Sequence, residues 1–221
     1  FCLSAAAVVN GSSSQARQAQ IPSKDPSDFG WIRNYAALGD SYAAGIGAGN
    51  KLTGEGDEAC SRYDGAYPVL LNAIFGGDPE RQFLFKACSG HLSSQVIDQV
   101  RALDDKSQDL VSISAGGNDA LLSDLLKACI YLPGPLRKCI DTGYKTLEII
   151  NDQLEGNIVA LLAELVGKMK DDSSIVVYTL YGKFFNEDTD ACDSQTWNWF
   201  RVILPGDHGI RLTKDFRRMF N

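Results

Sequence analysis

Histidine is scarce in this sequence: His91 and His208 are the only two in 221 residues. None of the six cysteines stands in a C-x-x-C pair. A zinc site, which gathers several His and Cys ligands at close spacing, is therefore poorly supported. Clustered positive charge is also missing. Lys and Arg number 21 against 28 Asp and Glu, a net charge of −7. A nucleic-acid backbone needs a basic stripe, so that class of partner is excluded. The one short basic group, Lys214, Arg217 and Arg218, reads as a solvated helix face. No apolar run approaches the roughly 20 residues that cross a bilayer.

The chain starts at Phe1 rather than Met. Its first residues, Phe1-Cys2-Leu3-Ser4-Ala5-Ala6-Ala7-Val8-Val9, form a short apolar run that passes into Gly11-Ser12-Ser13-Ser14. This reads as the tail of a secretory signal, and residues 1–25 are set aside from the fold. The remainder, 26–221, is long enough for one α/β domain with a full core. With Cys2 in the leader, five cysteines remain: Cys60, Cys88, Cys129, Cys139 and Cys192. An odd number in an exported chain leaves one thiol to explain.

Apolar periodicity divides the rest into alternating strands and helices. Strands are expected over 32–38, 82–87, 109–114 and 174–180, each a short apolar run. Helical spacing recurs over 67–75, 92–103 and 120–130. A long helix or broken pair is expected over 142–169, with Leu147, Ile150, Leu154, Ile158, Leu161 and Leu165 on one face. The segment 43–64 carries Gly45, Gly47, Gly49, Gly54 and Gly56 and reads as a loop. Such alternation predicts a parallel sheet covered on both faces, a three-layer α/β architecture.

Ligands of such sheets bind beyond the carboxyl ends of the strands. Three polar, glycine-bearing turns fall there: Gly39-Asp40-Ser41, Cys88-Ser89-Gly90 and Gly116-Gly117-Asn118-Asp119. A nucleophilic serine needs an exposed hydroxyl on a rigid turn, a base, and donors for an oxyanion. Ser41 offers the hydroxyl. Its own N–H, the N–H of Gly90 and the side-chain amide of Asn118 offer the donors. Asp40 and Asp119 stand as supporting residues.

These three blocks together resemble the SGNH, or GDSL-type, hydrolases, and within them the secreted lipase and esterase branch of actinobacteria and filamentous fungi. The resemblance runs from about Tyr35 to the end of the chain. It implies a flavodoxin-like sandwich, Ser41 as nucleophile, and an oxyanion hole of Ser41, Gly90 and Asn118, without metal or cofactor. It implies disulfides Cys60–Cys88 and Cys129–Cys139, the first two of three usual in the branch. The expected ligand is a small-molecule, lipid or acylated-carbohydrate ester, met by a monomer outside the cell.

The family's fourth element, a C-terminal Asp-x-x-His block carrying the base, has no match. His91 directly follows Gly90 and fits no family role; it is expected to be a loop or rim residue. His208 lies in Leu204-Pro205-Gly206-Asp207-His208, with Pro205 where the family has its acidic residue. It also precedes the late helix expected from Leu212. His208 is thus a weak substitute base. The expectation is that the sequence stops short of the His block and of the partner of Cys192, leaving residues 1–221 nearly inactive. Without its base, a triad keeps only the residual catalysis of binding and the oxyanion hole.

Two other readings share the fold. One is an inactive SGNH-fold module that binds acylated carbohydrate or lipid, with Trp197, Trp199 and Phe200 as a platform. Its weakness is that binding alone does not require Ser41, Gly90 and Asn118 together. The other is an FMN binder, which the turn after the first strand disfavours for want of a Ser/Thr-rich phosphate loop.

Overall fold

The computed structural model describes residues 28–76, 79–131, 136–183, 185–186, 188–194, 196–197, 210–211 and 213–220. The proposed leader, His208, Trp199 and Phe200 lie outside them. The chain forms two compact units, one from the residues up to Gly116 with Gly156–Tyr181, the other from Gly117–Glu155 with the residues from Gly182 onward.

The first unit is built on four parallel strands, β1 (Asn34–Gly39), β2 (Gln82–Phe85), β3 (Leu110–Ser114) and β4 (Ile175–Tyr178), in the order β2-β1-β3-β4. Between them run the helices α1 (Ser41–Ala44), α2 (Asp57–Cys60), α3 (Tyr67–Ile74) and α4 (Ser93–Arg101). The period of two along each strand divides the core. Ala36 and Leu38 of β1, with Val111 and Ile113 of β3, pack against Val96, Val100 and Leu103 and against Leu161 and Leu165 of a later helix. Tyr35, Ala37 and Leu110 point to the other face, where Leu71 and Phe75 from the α3 region meet Phe83, Phe85 and Ile175. The sheet is thus covered on both faces, the three-layer α/β arrangement that the alternating pattern predicts. Burial raises the Tyr35 hydroxyl far above its ordinary range, and the group is satisfied by Ser112 Oγ at 2.7 Å.

The second unit holds α5 (Leu122–Leu126), followed by a π-helical turn, and α6 (Leu136–Ile149). A second π-helical turn at Ile150–Leu154 joins α6 to α7 (Glu155–Val166), which returns to the first unit. The long amphipathic stretch is therefore a broken pair that starts before Thr142, at Leu136. Leu125, Ala128, Cys129 and Cys139 make a small core with Phe185 and Phe216. Two short strands, β5 (Thr196–Trp197) and β6 (Ile210–Arg211), pair antiparallel, and α8 (Lys214–Phe220) follows.

One expectation fails on α8. Arg217 is not on a solvated face: it is 1% exposed. Its Nη2 donates to Thr189 O at 2.6 Å and to Asp193 Oδ1 at 3.0 Å. The side chain is drawn inward because it caps a loop carbonyl and pairs with a carboxylate, which a count of charges along the helix does not register.

Candidate active site

The strand order reverses direction between β1 and β3, since the chain leaves β1 for β2 on one side and comes back to β3 on the other. Crevices at such points, beyond the carboxyl ends of the strands, are where open α/β sheets bind ligands. Ser41 lies there, two residues after the end of β1, as the first residue of α1 and half-buried.

The turn that carries it is held from both flanks. Gly39 has φ 129°, and a Cβ there would stand 2.1 Å from the carbonyl oxygen of Ser114, so only glycine lets β1 and β3 approach this closely. Asp40 N–H donates to Ser114 O at 3.0 Å. The Asp40 side chain, 1% exposed, accepts from Tyr42 N–H at 3.0 Å and from the Tyr181 hydroxyl, capping α1. Asp40 thus builds the turn around the serine. Tyr42, 49% exposed, leans toward Tyr67 and Tyr181, with ring centroids 6.1 and 5.6 Å away.

On the other flank of Gly39 the sheet continues with different partners. β2 ends at Phe85, and Cys88 N–H donates to Gly39 O at 2.9 Å. This joins the Cys88-Ser89-Gly90 turn to the Ser41 turn. The Cys60–Cys88 disulfide, Ser89 N–H donating to Cys60 O at 3.0 Å, and Arg62 Nε donating to Ala87 O at 2.8 Å secure the second turn. Gly90 itself is exposed with φ 85°, the left-handed conformation that glycine accepts without strain.

Gln99, on the buried face of α4, stands in for the missing strand. Its Oε1 accepts Gly39 N–H at 2.8 Å and its Nε2 donates to Gly39 O at 2.9 Å. The same Nε2 lies 3.0 Å from His91 Nδ1. The sequence reading missed Gln99. The signal was available: it is a polar residue among Val96, Val100 and Leu103, on the apolar face of a helix, where an unpaired amide would be costly.

Asn118 and Asp119 belong to the second unit. They form a half-buried turn in which Leu121 N–H donates to Asn118 O at 3.1 Å and Leu122 N–H to Gly117 O at 2.9 Å. In that unit Cys129 and Cys139 are disulfide-bonded, and Cys192 is a free thiol. His208 lies outside the described residues. Among the described residues no helix is long and apolar enough to cross a membrane.

The fold is thus of the α/β class, with a parallel sheet whose switch point carries Ser41 on a capped turn clamped to a glycine-bearing neighbour. The model of the GDSL-like Lipase/Acylhydrolase family matches residues 37–201, and the chain belongs to that family. A lipase of Streptomyces rimosus is 40% identical over 96 residues, which is 43% of this chain and 34% of that protein. The chain therefore matches about a third of the length of this curated relative. Among solved structures, phospholipase A1 from Streptomyces albidoflavus NA297 is similar with a TM-score of 0.66 at 29% identity, covering 86% of this chain and 69% of its own. The extracellular lipase from Streptomyces rimosus follows with a TM-score of 0.64 at 28% identity, over 85% and 69%.

Proposed function

We propose that the protein is a secreted carboxylic ester hydrolase in which Ser41 is the nucleophile. The observation that supports it most is the Ser41 turn: a hydroxyl at the switch point, on backbone fixed by Gly39, Asp40 and Gln99. In this reading Ser41 Oγ attacks the ester carbonyl carbon as its proton passes to a base. The carbonyl oxygen becomes an oxyanion, received by the N–H groups of Ser41 and Gly90 and the side-chain amide of Asn118. Collapse expels the alcohol, and water then releases the acyl group from Ser41 by the same steps. The names of the Streptomyces relatives, lipase and phospholipase A1, favour a lipid or other acyl ester as substrate. Two disulfides and the likeness to an extracellular lipase favour export.

His91 is not the base in this reading, because its Nδ1 faces Gln99 rather than an orienting carboxylate. The base is then a residue other than His91, and His208 is the candidate that the test addresses. The test is hydrolysis of a short-chain aryl ester by the protein. Ser41→Ala is expected to abolish turnover, and Asn118→Ala to lower kcat by about a hundredfold or more. Full turnover by residues 1–221 that disappears on His208→Ala would assign the base to His208.

A further inference from the structure

The hydrogen bonds around Gln99 fix the protonation state of His91. Gly39 N–H can only donate and Gly39 C=O can only accept, so the Gln99 amide has one possible orientation, with Oε1 on the N–H and Nε2 on the carbonyl. One Nε2 proton is used on Gly39 O. The other is directed at His91 Nδ1, 3.0 Å away. Nδ1 must then accept, which makes His91 a neutral imidazole with its proton on Nε2. An imidazolium would set an N–H against an N–H.

The chain of contacts has two ends. At one end is Gly39, two residues before Ser41. At the other is His91, next to Gly90. Among the described residues, and apart from its chain neighbours Ser89 and His91, no residue has an atom within 4 Å of a Cβ built on Gly90, so packing by side chains from elsewhere in the chain does not hold that residue. Its turn is secured on the Cys88 side by the disulfide and by the Ser89 and Arg62 bonds, and on the other side by His91, whose N–H donates to Cys88 O at 3.2 Å and whose ring is tied to Gln99.

We infer that His91 is a positioning residue: through Gln99, its neutral ring locks the Gly90 turn in register with the Ser41 turn, so that both present their N–H groups to one oxyanion. This rests on the proposed hydrolase reading. The charges that act on His91 are Arg62, from the segment after α2, and Asp98, from α4. Arg62 opposes the imidazolium and Asp98 favours it; desolvation is the larger influence and holds His91 below its ordinary range.

The first arm of the test is NMR of the full chain with 15N-labelled histidine and backbone amides, and it needs no turnover. At neutral pH His91 Nδ1 is expected to be unprotonated and Nε2 protonated. On acidification the Gly39 and Gly90 amides shift with the His91 midpoint. In Gln99→Glu the added carboxylate replaces a donor by an acceptor, and the His91 midpoint rises instead of staying depressed. A proton on Nδ1 at neutral pH, or a Gly90 amide that ignores the His91 titration, overturns the inference.

The second arm is ester hydrolysis. His91→Ala is expected to lower kcat about tenfold at unchanged KM, less than outright loss of an oxyanion donor. His91→Asn, whose Oδ1 can accept where Nδ1 did, recovers most of that loss. Equal rates for wild type and His91→Ala overturn the positioning role. If Ser41→Ala retains turnover, the hydrolase reading falls while the NMR result still decides the Gln99–His91 link.

Discussion

Replacing Gln99 with Met tests how much of the Ser41 turn depends on one buried amide. Methionine keeps the length and volume of the side chain, so no cavity contribution is added. Gly39 C=O retains the bond from Cys88 N–H, at 2.9 Å, and loses only the one from Gln99. Gly39 N–H loses its Gln99 partner, and β2 has already ended. An orphaned buried donor costs about 1–3 kcal/mol, and the lost bonds to Gly39 C=O and His91 Nδ1 about 1 kcal/mol each, giving about 3–5 kcal/mol in all. Against a native stability of about 5–15 kcal/mol that is a large fraction. Urea unfolding followed by circular dichroism reads it directly. With a slope of about 2 kcal/mol/M, the midpoint falls by about 1.5–2.5 M at constant slope. A loss below about 1 kcal/mol would show that Gly39 N–H finds water or another acceptor, and the clamp argument would fail.

Three further outcomes are expected. Gly39→Ala should prevent accumulation of folded protein, because the new Cβ meets Ser114 O at 2.1 Å, whereas Gly56→Ala, at φ 77° with nothing within 4 Å, should cost about 1 kcal/mol; soluble yield and resistance to proteolysis separate them. The Cys60–Cys88 bridge spans 28 residues and Cys129–Cys139 spans 10, so on chain entropy their removal to Ser should cost about 3.6 and about 2.7 kcal/mol in non-reducing denaturation. His91 binds its proton less readily folded than unfolded, so the unfolded state holds more protons in that window. Its contribution to stability is therefore complete above the ordinary value of 6.5 and is lost as pH falls through the depressed folded value. Unfolding midpoints measured across that window should vary less with pH in His91→Asn than in the native protein.

The sheet was readable because its strands are apolar on both faces. Residues such as Leu38, Val111 and Ile113 recur in short runs between helical stretches, and a parallel sheet is the fold that buries them. The turns at Gly39, Gly90 and Asn118 were readable for a related reason, since glycine and short polar residues at strand ends mark where backbone must bend near a ligand. The clamp was not readable, although Gln99 was conspicuous on an apolar helix face. Its partner is a backbone amide 60 residues earlier, and sequence does not show which main-chain groups a sheet leaves unpaired. Arg217 failed as a prediction in the same way. Its burial depends on Thr189 O and Asp193, a loop carbonyl and a carboxylate that only the folded chain brings to it. His91, expected as a loop or rim residue, lies half-buried in the loop after Gly90; its link to Gln99 was not readable, because it depends on that loop lying against α4.

The central claim is that Ser41 is the nucleophile. The most direct measurement is mass-spectrometric mapping of the adduct left by a serine-directed fluorophosphonate on the protein purified from its source. The account predicts a single modified residue, Ser41, with labelling abolished in Ser41→Ala and suppressed by prior incubation with an ester substrate. An adduct on a different serine, or ester hydrolysis that survives Ser41→Ala, would contradict it.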